Sequence, residues 1–290
     1  MMKFFSIAAV TVMMFTTTAF AAENSESNID IEVPQRYERM FPIWAQDAID
    51  LGHELPKPFG FNFTHMAMDQ PLVIDSISLN GLGPVLDDLI QIEGNDAVQD
   101  SETVTFRADM WLLPFMNVYG VLGYTEGNSK AWVDLTIGDS QTIAVPFDLE
   151  FEGLTYGGGV TLVGGIGNWF AMVDTNYTLT DLDILDGEIS SLVISPRTGI
   201  RTQIFGNEAQ MWVGAMYQRV QQTFGGYLGD IIPALGNLRP EARFEVEQHL
   251  EDQWNGLIGG QVALGNGFDL LVEGGFGTRK SLMIALGYRF

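Results

Sequence analysis

Ser281-Leu-Met-Ile-Ala-Leu-Gly-Tyr-Arg-Phe290, the stretch at the end of the chain, decides the fold. Leu282, Ile284, Leu286, Tyr288 and Phe290 are all large and apolar, and they occupy every second position. Successive side chains of a β-strand point to opposite faces, so this spacing gives one wholly apolar face and another made of Ser281, Met283, Ala285, Gly287 and Arg289. A helix would scatter the same apolar residues around its axis. The apolar face also ends on two aromatic rings.

The two-residue period continues upstream as far as about Phe59, in segments of about ten residues separated by Gly, Asn, Asp and Pro. In one of them Trp169, Ala171, Val173, Thr175, Tyr177 and Leu179 oppose Met172, Asp174, Asn176 and Thr178. In others, Val104, Phe106, Ala108, Met110 and Leu112 oppose Thr103, Thr105, Arg107 and Asp109, while Met116, Val118, Gly120, Leu122 and Tyr124 oppose Asn117 and Tyr119. Further on, Leu192, Ile194, Pro196, Thr198 and Ile200 oppose Ser191, Ser195, Arg197 and Arg201; Phe268, Leu270, Val272, Gly274 and Phe276 oppose Asp269 and Glu273. One apolar face per strand, bounded by aromatic residues, is what a wall facing hydrocarbon requires. Backbone groups in hydrocarbon find no water, so such strands have to close on themselves.

Leu113-Pro114, Gly165 to Asn168, Phe205 to Ala209 and Gly265-Asn266-Gly267 read as tight connections. The stretches around Gly81 to Ser101, Glu126 to Glu150, Asp181 to Glu188 and Thr223 to Glu241 read as longer ones. Within the second, Ala131 to Ile137 and Gln141 to Phe147 are two more short candidates, forming either a hairpin that rises from a loop or two further wall strands. The fold class is all-β: a closed antiparallel transmembrane β-barrel of ten to twelve strands over 59–290, with an even number if both ends lie on one side. Residues 22–58 precede it, polar and acidic at first, then helical in look over Arg39 to Leu51 and interrupted at Pro42. This segment lies under the barrel mouth or plugs the lumen.

Residues 1–21 read as a secretory signal peptide, with Lys3 in a basic start, an apolar run from Phe4 to Phe15, and the small-x-small pattern Ala19-Phe20-Ala21. Removal of that segment leaves 13 of the 14 Lys and Arg against 37 Asp and Glu, a net charge of −24. A balance so acidic argues against nucleic acid as a partner. Neither a disulfide framework nor a thiolate metal site is open to a chain with no cysteine. Past the leader no apolar run reaches the roughly 18 residues of a transmembrane helix.

An aromatic last residue, an aromatic third from the end and apolar residues at alternate positions between them make this ending resemble the C-terminal strand of Gram-negative bacterial outer-membrane β-barrel proteins. The resemblance extends over about residues 59–290 and points to no subfamily. It implies a location in the bacterial outer membrane, short periplasmic turns, longer outer loops, and outer-membrane lipids around the wall. It also implies periplasmic chaperones and the barrel-assembly machinery as partners, with Leu282, Ile284, Leu286, Tyr288 and Phe290 as the assembly signal.

Arg107, Asp109, Asp174, Arg197, Arg201, Asp269, Glu273 and Arg289 fall on the faces opposite the apolar ones, as candidate lumen charges. Mixed signs there either line a water-filled constriction or pair across a filled lumen. The first functional expectation is therefore a channel or transporter for small solutes. A second is an outer-membrane hydrolase or protease at the outer rim, for which His65 with Asp69, or His249 with Glu247 and Glu251, would supply the base. No nucleophile can be placed beside either histidine, so catalysis is the weaker expectation and no catalytic residue is assigned. A third is a structural or adhesive barrel working through acidic outer loops. No cofactor and no metal are implied.

Overall fold

The computed structural model describes residues 36–83, 90–137, 142–183, 186–231 and 239–290. The leader reading, on residues 1–21, lies outside these. Eleven antiparallel strands form one sheet: β1 (Phe59–Asn80), β2 (Ile90–Leu113), β3 (Met116–Ile137), β4 (Thr142–Ile166), β5 (Trp169–Leu182), β6 (Asp186–Ile204), β7 (Asn207–Tyr227), β8 (Arg243–Leu250), β9 (Trp254–Gly265), β10 (Phe268–Phe276) and β11 (Lys280–Arg289). A short helix, α1 (Ala45–Asp50), precedes them. The barrel belongs to the unit Tyr37–Phe290.

The sheet closes into a ring in its lower storey and divides above it. In the lower storey β11 pairs with β1 from Gly60↔Arg289 to Asp69↔Lys280, and β9 pairs with β7 over Ala209–Tyr217, which gives a ring of ten strands without β8. Higher up, β8 takes the place of β9, β10 and β11 by pairing with β1 over Leu72–Asn80 and with β7 over Gln221–Tyr227. Among the described residues no pairing joins β1 to β2 beyond Leu72 or β4 to β5 beyond Gly153, so the upper storey is two separate sets of paired strands, β2–β3–β4 and β1–β8–β7–β6. An even lower ring brings both ends of the barrel chain to the same side, where the turns are tight. At one of these, Phe205 (φ 51°) and Gly206 (φ 80°) form the two-residue corner between β6 and β7. Two left-handed positions in succession match the twist of a hairpin, and Gly206 meets the demand more easily than Phe205.

Hydrophobic parity inverts between the storeys. Low on the barrel, Phe61, Phe63, Phe106, Leu122, Leu154, Tyr156, Val213 and Ile284 are exposed on the outer face. Above, Leu72, Ala97, Ala131, Leu149, Phe151, Val220, Phe224, Phe244, Val246 and Leu250 are buried together in one inner cluster. On β4 the switch falls between Phe151, buried inside, and Leu154, exposed outside, three positions on and of opposite parity. The lower storey is built for an apolar surrounding and the upper one for water.

This inversion explains where loops had been expected and strands are found. Residues 90–101, 126–137, 142–150 and 223–227 are continuous with β2, β3, β4 and β7. Asp100, Glu126, Lys130, Asp148 and Glu150 are exposed there among a few apolar residues such as Val98 and Trp132, so the apolar-outside signature is broken although the strand is not. The candidates at Ala131 to Ile137 and Gln141 to Phe147 are chiefly the upper ends of β3 and β4, so they add no wall strands.

A narrow barrel bends its strands sharply, and inward glycines make room for that bend. A Cβ on Gly157 would run into the Tyr177 carbonyl of the adjacent strand.

Candidate functional site

The lower lumen is crossed by hydrogen-bonded charges from strands distant in the ring. Arg197 on β6 donates from Nε and Nη2 to the two carboxylate oxygens of Glu273 on β10, at 2.6 and 2.7 Å. Trp212 Nε1 donates to the same carboxylate at 2.6 Å. Glu273 is buried, and with three donors its charge is fully engaged.

A second cluster centres on Asp109 and Asp174. Asn117 Nδ2 and Arg289 Nη2 both donate to Asp109 Oδ1 at 2.6 Å, while Arg107 Nη2 donates to Asn117 Oδ1 at 3.0 Å. Asp174 accepts from Tyr119 Oη at 2.8 Å and Thr161 Oγ1 at 2.6 Å, with Arg107 Nη1 3.9 Å away. The Arg107 guanidinium lies 3.5 Å from the centre of the Tyr119 ring. Asp269 accepts from Gln261 Nε2 at 2.5 Å. Arg201 joins neither cluster: it is exposed near the short turns, where its backbone N–H reaches Asn168 O at 2.7 Å.

The structure thus joins Arg107, Asp109, Asp174 and Arg289 in one network and Arg197 with Glu273 in another. Asn117, Tyr119, Thr161, Trp212 and Gln261 were missed in the sequence reading because uncharged side chains carry no mark of their partner. Above the networks comes a row of hydroxyls, Thr103–Thr125–Thr155–Thr180, linked at 3.0, 2.7 and 2.8 Å around β2 to β5. The apolar cluster of the upper storey lies higher still.

Arg279, in the turn between β10 and β11, is fully buried and donates to Gln218 Oε1 at 2.9 Å and to the Gln253 carbonyl at 3.3 Å. Burial lowers its guanidinium to about 10, with Asp252 acting in the opposite sense. This side chain wedges the short β10–β11 hairpin under the end of β8.

His65 and His249 sit on the outer wall with partners other than those the sequence suggested. His65 pairs with Glu102 at 3.2 Å rather than Asp69, and His249 with Asp75 at 2.8 Å rather than Glu247 or Glu251. Among the described residues no group of three or more His, Cys, Asp or Glu is placed to hold a metal ion.

No family model and no curated relative matches the chain. Among solved structures it is similar to the outer membrane protein OprG from Pseudomonas aeruginosa, at 14% identity and a TM-score of 0.38, covering 81% of this chain and 97% of that one. It is also similar to the β domain of the Bordetella autotransporter BrkA, at 12% identity and a TM-score of 0.34, covering 81% of this chain and 100% of that one. A third is the transport unit of the autotransporter AIDA-I from Escherichia coli, at 11% identity and a TM-score of 0.36, covering 80% and 90%. The architecture is that of a bacterial outer-membrane β-barrel. Its own features carry this: a closed ring, an outward apolar belt, and a C-terminal strand that seals the ring against β1. On β5 the belt runs from Trp169 to Tyr177, about 26 Å along the strand at ~3.3 Å per residue. The short turns lie on one side of this belt, and the storey that contains β8 lies on the other.

Proposed function

We propose that this barrel is closed to free diffusion at rest and acts through the storey it presents outside the bilayer. One observation supports the reading above all: apolar side chains from β1, β2, β3, β4, β6, β7 and β8 converge in a single buried cluster across the upper lumen. Water and ions avoid such a core, and beneath it Arg197 is paired with Glu273 and Arg289 with Asp109. The expectation of a small-solute channel has the polar lower lumen in its favour, but a path through this barrel requires the apolar cluster to part.

What the outer storey offers a partner is charge. Asp69, Asp100, Glu102, Glu126, Glu150 and Glu152, with Lys280, line a concavity of about 810 Å³ on the outer wall just above the apolar belt. A cationic surface suits it better than an anionic one. The decisive measurement is planar-bilayer recording of barrel whose folding is verified by heat-modifiable gel migration. Folded, inserted protein giving no step-like openings supports the closed reading, and regular openings in the unmodified protein overturn it.

A further inference from the structure

We infer that residues 40–51 form an interfacial anchor, seated in the zwitterionic headgroup layer of the periplasmic leaflet beside the barrel mouth. The backbone fixes its place. Ile43 N–H donates to Leu112 O at 2.9 Å, and Trp111 N–H donates to Pro58 O at 2.8 Å, so the start of the segment and the chain that follows it are both tied to the periplasmic end of β2.

Ring contacts fix its side. Phe41 meets Phe59 edge-on at 6.3 Å, Phe59 stacks on Phe290 at 6.0 Å, and Phe290 continues to Phe61 at 5.5 Å and Tyr288 at 5.9 Å. Phe59, Phe61, Tyr288 and Phe290 are exposed on the lipid-facing wall, so Phe41 extends the periplasmic aromatic girdle beyond the last strand.

Exposure fixes its partner. Pro42, Ala45 and Ala48 are buried against the protein, whereas Met40 (81%), Ile43 (45%), Trp44 (59%) and Leu51 (77%) are exposed. A segment plugging the lumen would bury these large side chains, and a purely aqueous segment would carry polar ones. Tryptophan, with an apolar body and an N–H to leave wet, favours the headgroup zone. Asp47 and Asp50 keep the segment from being basic, so apolar contact and not attraction to anionic lipid holds it.

The absence of cysteine makes the test clean, since Trp44→Cys, Leu51→Cys and Asp47→Cys each provide a single site for an environment-sensitive fluorophore. Each full-length variant is refolded into phosphatidylcholine vesicles, with heat-modifiable migration confirming a closed barrel. Labels at 44 and 51 should emit to the blue of the label at 47, and spin-labelled lipids should quench them more from shallow than from deep acyl positions. Quenching by aqueous iodide equal to that at 47 would overturn the inference, as would blue emission insensitive to both quenchers, which means burial inside the protein. As an independent readout, the triple variant Ile43→Ser, Trp44→Ser, Leu51→Ser should keep the barrel folded while protease cuts near residue 44 several-fold faster. An unchanged cutting rate would count against anchorage.

Discussion

Arg197 and Glu273 form a two-pronged ion pair inside the barrel, joining β6 to β10 with both side chains almost inaccessible to water. Two strands, β7 and β9, separate them in the ring, so the pair acts as a tie across the lumen.

Removing one partner strands the other as a buried charge, which costs about 3–5 kcal/mol. Arg197→Ala and Glu273→Ala should each lower the urea midpoint strongly, and Arg197→Met with Glu273→Leu should recover much of the loss. Arg201→Ala serves as the comparison, because an exposed arginine outside the network should cost little. A double variant as weak as the sum of its parts would show that the pair does not act as a unit.

Sharp coiling of β4 makes a different demand. Gly157 lies where a Cβ would strike the Tyr177 carbonyl, so Gly157→Ala must push β5 away or straighten the strand. Overpacking of this kind costs about 1–3 kcal/mol. Gly164 is the control: a Cβ there meets nothing within 4 Å, and Gly164→Ala should leave the thermal midpoint nearly unmoved.

How far the fold was legible follows from the same elements. The lipid-facing rows of β2, β3, β5 and β11 could be read directly, since hydrocarbon imposes the two-residue period without relief. The upper halves of β2, β3 and β4 could not, because water outside and an apolar core inside reverse the parity and cancel that signature. The part played by β8, spanning β1 and β7 above the β9–β11 hairpins, depends on contacts far apart in sequence that no local pattern marks. The same holds for the lumen: charges on inner faces were identifiable, but not that Arg197 would choose Glu273 or Arg289 would choose Asp109.

The last strand permits a test of register. Ile284 is exposed to lipid while Ala285 is buried inside, opposite Leu271 and Thr64. Ile284 faces His65 and lies one row from Leu282 at the acidic rim, so arginine there should cost less than the penalty of about 2–4 kcal/mol for a cation at the midplane. With the lumen packed around Ala285, Ala285→Arg should also be costly, through overpacking. Serine separates the two faces: Ala285→Ser should be tolerated more readily than Ile284→Ser, which removes apolar area from the lipid contact. Equal folded yields for the two serine variants would contradict this register. Deleting Phe290 removes its ring contacts with Phe59, Phe61 and Tyr288, and should impair closure of the barrel.

Just above the apolar belt the register sets like charges side by side. Glu102 faces Glu126, Glu126 faces Glu152, and in the next row Asp69 faces Asp100. Directly opposed like charges destabilise a sheet, by up to about 1 kcal/mol for each pair. These carboxylates lie on the outer wall, so ions in solution reach and screen them. Two results should follow. Raising the salt concentration should increase the thermal midpoint of the folded barrel, and Glu126→Gln, which relieves both repulsions in its row at once, should raise the midpoint at low salt and weaken its dependence on salt. Glu245→Gln, on β8 and away from this ladder, should leave the salt dependence as it was. If Glu126→Gln instead lowers the midpoint, its carboxylate is making a stabilising contact that outweighs the repulsion. A salt dependence identical in all three proteins would locate the charge effect elsewhere on the barrel.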